Sequence, residues 1–92
     1  MVHSISILGS TGSIGRQTVE AVERLGVRVA ALAANRSTEL LEAQARRLHP
    51  ELVAVTDETA ARQLKIALAD TQTRVLGGAE ALTEAAAMEG TD

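Results

Sequence analysis

The run Gly9-Ser10-Thr11-Gly12-Ser13-Ile14-Gly15 constrains this chain more than any other stretch, because an apolar segment at residues 5–8 leads into it and a helical pattern leaves it. That order is strand, glycine loop, helix. Glycines three apart let the chain turn sharply out of a strand, let a phosphate group approach the backbone, and let the new helix pack tightly on a sheet. Free N–H groups at the helix start then face an anion. The GxxGxxG spacing is a variant of the dinucleotide-binding fingerprint, and the flanking strand and helix supply the context that a bare glycine motif lacks.

The same alternation continues along the chain. Residues 4–8 read as a strand covered on both faces. Ile14, Thr18, Ala21, Val22 and Leu25 recur at helical spacing, and Gly26 stands where a left-handed cap is expected. A second strand is predicted over 27–33. Ser37 is placed to cap a second helix whose buried stripe is Leu41, Ala45 and Leu48, ended by His49-Pro50. Residues 52–55 form a third strand, and Asp57 caps a helix with Ala61, Leu64 and Leu68 inward. Residues 74–76 suggest a further strand, Gly77-Gly78 a turn, and residues 79–88 an alanine-rich helix anchored by Leu82. Alternating strands and helices imply a Rossmann-like α/β fold, with a parallel sheet and helices on both faces. The expected domain is 1–92, an incomplete N-terminal Rossmann-like unit ending where a strand on the far side of the first should begin. Catalytic and C-terminal domains are expected outside it.

Ninety-two residues allow at most one domain, whereas a two-domain oxidoreductase needs roughly 100 to 200 residues per domain. A net charge of −3 leaves no basic footprint for nucleic acid or a membrane surface, so a small-molecule partner is expected. There is no Cys, hence no disulfide framework or thiolate metal site. With no leader and no long apolar run, the expected location is cytoplasmic. Phe, Tyr and Trp are absent, so the core must be aliphatic and an adenine must lie on aliphatic or guanidinium surface.

The loop after the second strand selects the cofactor. An acid there would bind a ribose 2′-hydroxyl and repel a 2′-phosphate. This chain offers Asn35, Arg36 and Ser37 instead, one guanidinium and two neutral hydrogen-bonding side chains, which favours NADP over NAD. In the glycine loop, Thr11 and Ser13 add hydroxyls to the amides of Gly12, Ser13 and Ile14 around a pyrophosphate, with Ser13 also able to cap the helix. Ile14 is read both as a core residue and as an apolar wall beside the cofactor. His3 and His49 look peripheral, and no grouping of Asp, Glu and His has metal-ligand spacing. No catalytic or metal-binding residue is assigned within the chain.

From Ile5-Ser6-Ile7-Leu8 through Gly15-Arg16-Gln17-Thr18, the text resembles the N-terminus of the 1-deoxy-D-xylulose 5-phosphate reductoisomerase family. The likeness continues through Val29-Ala30-Ala31-Leu32-Ala33-Ala34-Asn35-Arg36 and Pro50-Glu51-Leu52-Val53-Ala54-Val55-Thr56-Asp57. It implies an NADPH-dependent oxidoreductase that converts 1-deoxy-D-xylulose 5-phosphate to 2-C-methyl-D-erythritol 4-phosphate in non-mevalonate isoprenoid synthesis. Mg²⁺ or Mn²⁺ and a homodimer are implied too. By position, Thr11, Gly12, Ser13 and Ile14 match the pyrophosphate contacts, and Asn35, Arg36 and Ser37 match those near the 2′-phosphate. The family commonly has Asn where this chain has Ser37. The family's metal ligands, substrate-phosphate site and flap lie later in sequence, so the resemblance implies that these residues alone are an inactive, cofactor-holding part. Two other readings share the loop: another NADP-dependent enzyme such as a semialdehyde dehydrogenase, and a non-catalytic nucleotide-sensing module.

Overall fold

The computed structural model describes residues 4–35 and 37–87. His3, Arg36 and Met88 lie outside them. Four strands, β1 (Ile5–Leu8), β2 (Val29–Ala34), β3 (Leu52–Val55) and β4 (Arg74–Gly77), alternate with four helices, α1 (Ser13–Leu25), α2 (Thr38–Leu48), α3 (Glu58–Ala67) and α4 (Glu80–Ala87). The strands pair in parallel in the order β1-β2-β3-β4. Their carboxyl ends therefore share one edge of the sheet, and so do the turns that follow them.

Every residue of β2 and β3 is buried, as a parallel strand covered on both faces requires. On one face, Ile7, Leu32, Val53, Val55 and Val75 meet Val19 and Val22 of α1, Leu41 and Ala45 of α2, and Ala61 and Leu64 of α3. On the other, Ala31, Ala33, Leu52 and Ala54 meet Ala81 and Ala85 of α4. Small side chains on both partners let α4 lie close to the sheet. It begins beside β4, touches every strand, and near its end accepts a 2.6 Å hydrogen bond from Ser6 Oγ of β1 at the Ala85 carbonyl. The helix thus carries the chain back from the β4 edge to the β1 edge.

The inward face of α1 differs from the one expected. Ile14 and Leu25 are 79% and 73% exposed, whereas Gly15, Val19 and Val22 are buried. Gly15 contributes no hydropathy signal, yet close approach at Gly15 sets the helix rotation and turns Ile14 outward. Ile14 is therefore no core residue. In α4 the anchor is likewise small: Ala81 and Ala85 are buried and Leu82 faces outward. In α2, Gln44 takes an inward position beside Leu41 and Ala45, while Leu48 is only partly buried. Gly26 caps α1 at φ 72°, and His49 caps α2 in the same left-handed region at φ 51° before Pro50.

Candidate cofactor-binding site

The first turn after the sheet is tied down amide by amide. Gly9 N–H and Ser10 N–H both donate to the Ala33 carbonyl of β2, at 2.7 and 3.0 Å, and Gly12 N–H donates to the Gly9 carbonyl at 3.0 Å. The Thr11 N–H donates to no backbone carbonyl among the described residues. Ser13, Ile14 and Gly15 precede the first helical bond, Arg16 N–H to Gly12 C=O at 2.8 Å, so their amides have no acceptor within α1.

The glycines have separate tasks. Gly9 adopts φ +72°, which makes the turn out of β1. A β-carbon on Gly15 would lie 1.9 Å from the Gly9 carbonyl oxygen, so α1 can reach the loop only without a side chain there. At Gly12 a β-carbon would meet Gly9 O at an ordinary 3.5 Å and otherwise open space. Any intolerance at Gly12 must come from what binds outside.

Electrostatics single out the same helix start. Among the described helices, α2, α3 and α4 carry Glu39, Glu58 and Glu80 in their first turns, and α1 carries no acid. Its N-cap is Gly12, with no side-chain bond to the amides. The positive end of the α1 dipole is left available to an anion. Ser13 is the first helical residue and not a cap, a correction that leaves its exposed hydroxyl beside the free amides. Thr11 is half-buried; Gly12 and Ile14 are exposed. Leu8, 53% exposed at the end of β1, adds a second apolar surface at this edge.

The second half of the site follows β2. Asn35 is exposed, its carbonyl accepts from Asp57 N–H at 3.1 Å, and its Oδ1 accepts from the Thr56 hydroxyl. With Oδ1 engaged, the Asn35 Nδ2 group retains donors for a ligand. Ser37 occupies the N-cap position of α2 and its carbonyl accepts from Leu41 N–H, but its side chain makes no capping bond. Its φ −80° and ψ 76° differ from the extended geometry usual for side-chain caps. Asp57 does cap α3, accepting from Ala60 N–H at 3.0 Å.

Sequence reasoning missed Thr56 and Gln44. Thr56 stood directly after β3 at the ligand edge. Gln44 was legible only as a polar residue three positions after Leu41 on an inward stripe; in the fold its Nε2 donates to the Ser10 carbonyl at 2.8 Å, buried between α2 and the loop. Among the described residues no three His, Asp or Glu side chains are grouped to hold a metal ion, and no helix is long and apolar enough to cross a membrane.

The family model described as 1-deoxy-D-xylulose 5-phosphate reductoisomerase matches residues 5–92. A reductoisomerase of that name from Acetivibrio thermocellus is 54% identical over 82 residues, covering 89% of this chain and 22% of the relative. One from Moorella thermoacetica is 49% identical over 94 residues, covering 100% and 24%. Among solved structures, the Zymomonas mobilis reductoisomerase in complex with NADPH superposes with TM-score 0.86 at 36% identity, over 92% of this chain and 23% of that one. A reductoisomerase complex with NADPH, fosmidomycin and magnesium gives TM-score 0.88 at 32% identity, over 99% and 23%. The chain spans about a quarter of the length of these relatives.

Proposed function

The chain belongs to the 1-deoxy-D-xylulose 5-phosphate reductoisomerase family, and on that footing we propose that it is the NADPH-holding part of such an enzyme. The observation that carries this reading is the α1 N-terminus: free amides at residues 11 and 13–15, no acid in the first turn, and open space at Gly12. Thr11, Gly12, Ser13 and Ile14 would line the pyrophosphate, and Asn35, Arg36 and Ser37 the adenosine 2′-phosphate. Ile14 and Leu8 would supply apolar surface beside them, in a chain with no aromatic ring to stack on adenine.

When bound, NADPH supplies a hydride to the substrate. The chain's own residues hold the anionic end of the cofactor, through amides preorganised before it arrives. Among the described residues no three His, Asp or Glu side chains are grouped, and in this reading Mg²⁺ or Mn²⁺ belongs to other parts of the whole enzyme. The proposed activity of the whole enzyme is rearrangement and reduction of 1-deoxy-D-xylulose 5-phosphate to 2-C-methyl-D-erythritol 4-phosphate. We assign the phosphorylated sugar, a homodimer and a cytoplasmic setting to that whole enzyme, and no turnover to this part alone. The relatives are named as reductoisomerases, which favours neither a semialdehyde dehydrogenase nor a nucleotide sensor.

Calorimetric titration of the full chain with NADPH and NADH tests the assignment. Tighter binding of NADPH is expected. Equal affinity would remove the 2′-phosphate contacts, and no binding of either would remove the site.

A further inference from the structure

Gln44 is buried behind the glycine loop, and it holds the one peptide of that turn that no backbone bond holds among the described residues. Gly9, Ser10 and Gly12 each donate their N–H inside the protein, which leaves the peptide joining Ser10 to Thr11 without a backbone partner at its N–H. Its carbonyl is Ser10 O, and that oxygen accepts from Gln44 Nε2 at 2.8 Å in a buried position. A trans peptide is planar, with C=O and N–H pointing in opposite directions. Anchoring the oxygen toward α2 therefore aims the Thr11 N–H away from α2.

Both partners of this hydrogen bond are enclosed by the fold. Gln44 is 1% exposed and Ser10 is fully buried, and the Gln44 Oε1 and Ser10 Oγ atoms have no hydrogen-bond partner among the described residues. An unbranched apolar side chain of similar size would remove the unpaired Oε1 but leave the buried Ser10 carbonyl without its donor, so what the amide adds at this position is its hold on the Ser10–Thr11 peptide.

We propose that Gln44 is a positioning residue for cofactor binding: it sets the Ser10–Thr11 peptide so that the Thr11 N–H joins the Ser13 and Ile14 amides on the pyrophosphate. The proposal rests on the NADPH reading given above. Gln44 acts only on the pyrophosphate end. The adenosine 2′-phosphate is met by the separate loop after β2, whose Asn35 is held by Thr56 and Asp57. A defect at position 44 should therefore discriminate between ligands.

The test compares NADPH with 2′-AMP, which carries the 2′-phosphate and lacks the pyrophosphate, by calorimetry on the full chain and on Gln44→Met. The expected result is about tenfold weaker NADPH binding, the loss of one charge-assisted hydrogen bond, with 2′-AMP affinity unchanged. A parallel fall for both ligands would reduce Gln44 to a structural role and overturn the proposal, as would unchanged NADPH affinity. If the unsubstituted protein binds neither ligand, the NADPH reading falls and takes this one with it. Should Gln44→Met fail to fold, the unsubstituted protein still decides. Its Thr11 amide ¹H–¹⁵N resonance must shift on adding NADPH and stay in place with 2′-AMP; a Thr11 resonance unmoved by NADPH overturns the proposal.

Discussion

The carbonyl oxygen of Gly9 occupies the space in which a side chain on Gly15 would stand, 1.9 Å from the β-carbon that any other residue would carry there. Gly12, between them, faces open space apart from one 3.5 Å contact. Structure and ligand binding thus fall on different glycines of one motif. Gly15→Ala must push α1 away from the loop, and overpacking of that kind costs about 1–3 kcal/mol or more. Thermal melts should show it. Gly12→Val should keep the helix content by circular dichroism and lose NADPH binding by calorimetry. A Gly12→Val protein that retains its affinity would mean that no phosphate approaches residue 12.

Arg36→Glu should reverse the cofactor preference, since it removes a guanidinium able to grip a phosphate and sets a like charge against it. Loss of the charged hydrogen bond alone is worth about 1.5–3 kcal/mol of NADPH affinity. NADH binding should be retained. An unaltered NADPH-to-NADH ratio in the variant would exclude Arg36 from the site.

Leu64 is fully buried on α3 in the larger of the two apolar clusters. Leu64→Ala should lower unfolding stability by about 2–5 kcal/mol in denaturant titrations, the range for a leucine deleted from a close-packed core. A cost below about 1 kcal/mol, the range of volume-conserving swaps, would mean that this face of the sheet is less tightly packed than the structure shows.

Arg46 joins the end of α2 to Asp70 beyond α3, donating to its two carboxylate oxygens at 3.0 and 2.9 Å. These hydrogen bonds, more than any other influence, hold the Asp70 carboxyl below the usual carboxylate range. A carboxylate with a depressed folded pKa adds stability above its unfolded pKa and loses it as the pH falls through the folded value. Both side chains are at the surface, so the contribution is small. Asp70→Asn should melt slightly lower than the parent at neutral pH, and the gap should close well below pH ~3.9, where an unperturbed Asp protonates. A gap independent of pH would show that the pair does not stabilise the fold.

Local chemistry determined most of this protein by sequence alone. The order of strands and helices, the glycine turn after β1, the left-handed cap at Gly26 and the Asp57 cap are short-range effects, written in spacing and residue type. The glycine loop and the open helix start it feeds were legible for the same reason, since a sharp turn from a strand into a closely packed helix needs glycines in a fixed local order. Only the tertiary structure decided which way α1 faces, because its rotation is set by the absence of a side chain at Gly15 against a carbonyl six residues earlier. Hydropathy cannot register a contact made by having no side chain. The same holds for α4, placed across the sheet by alanine against alanine, and for Gln44, whose polar head made sense only once Ser10, 34 residues away in sequence, was brought beside it.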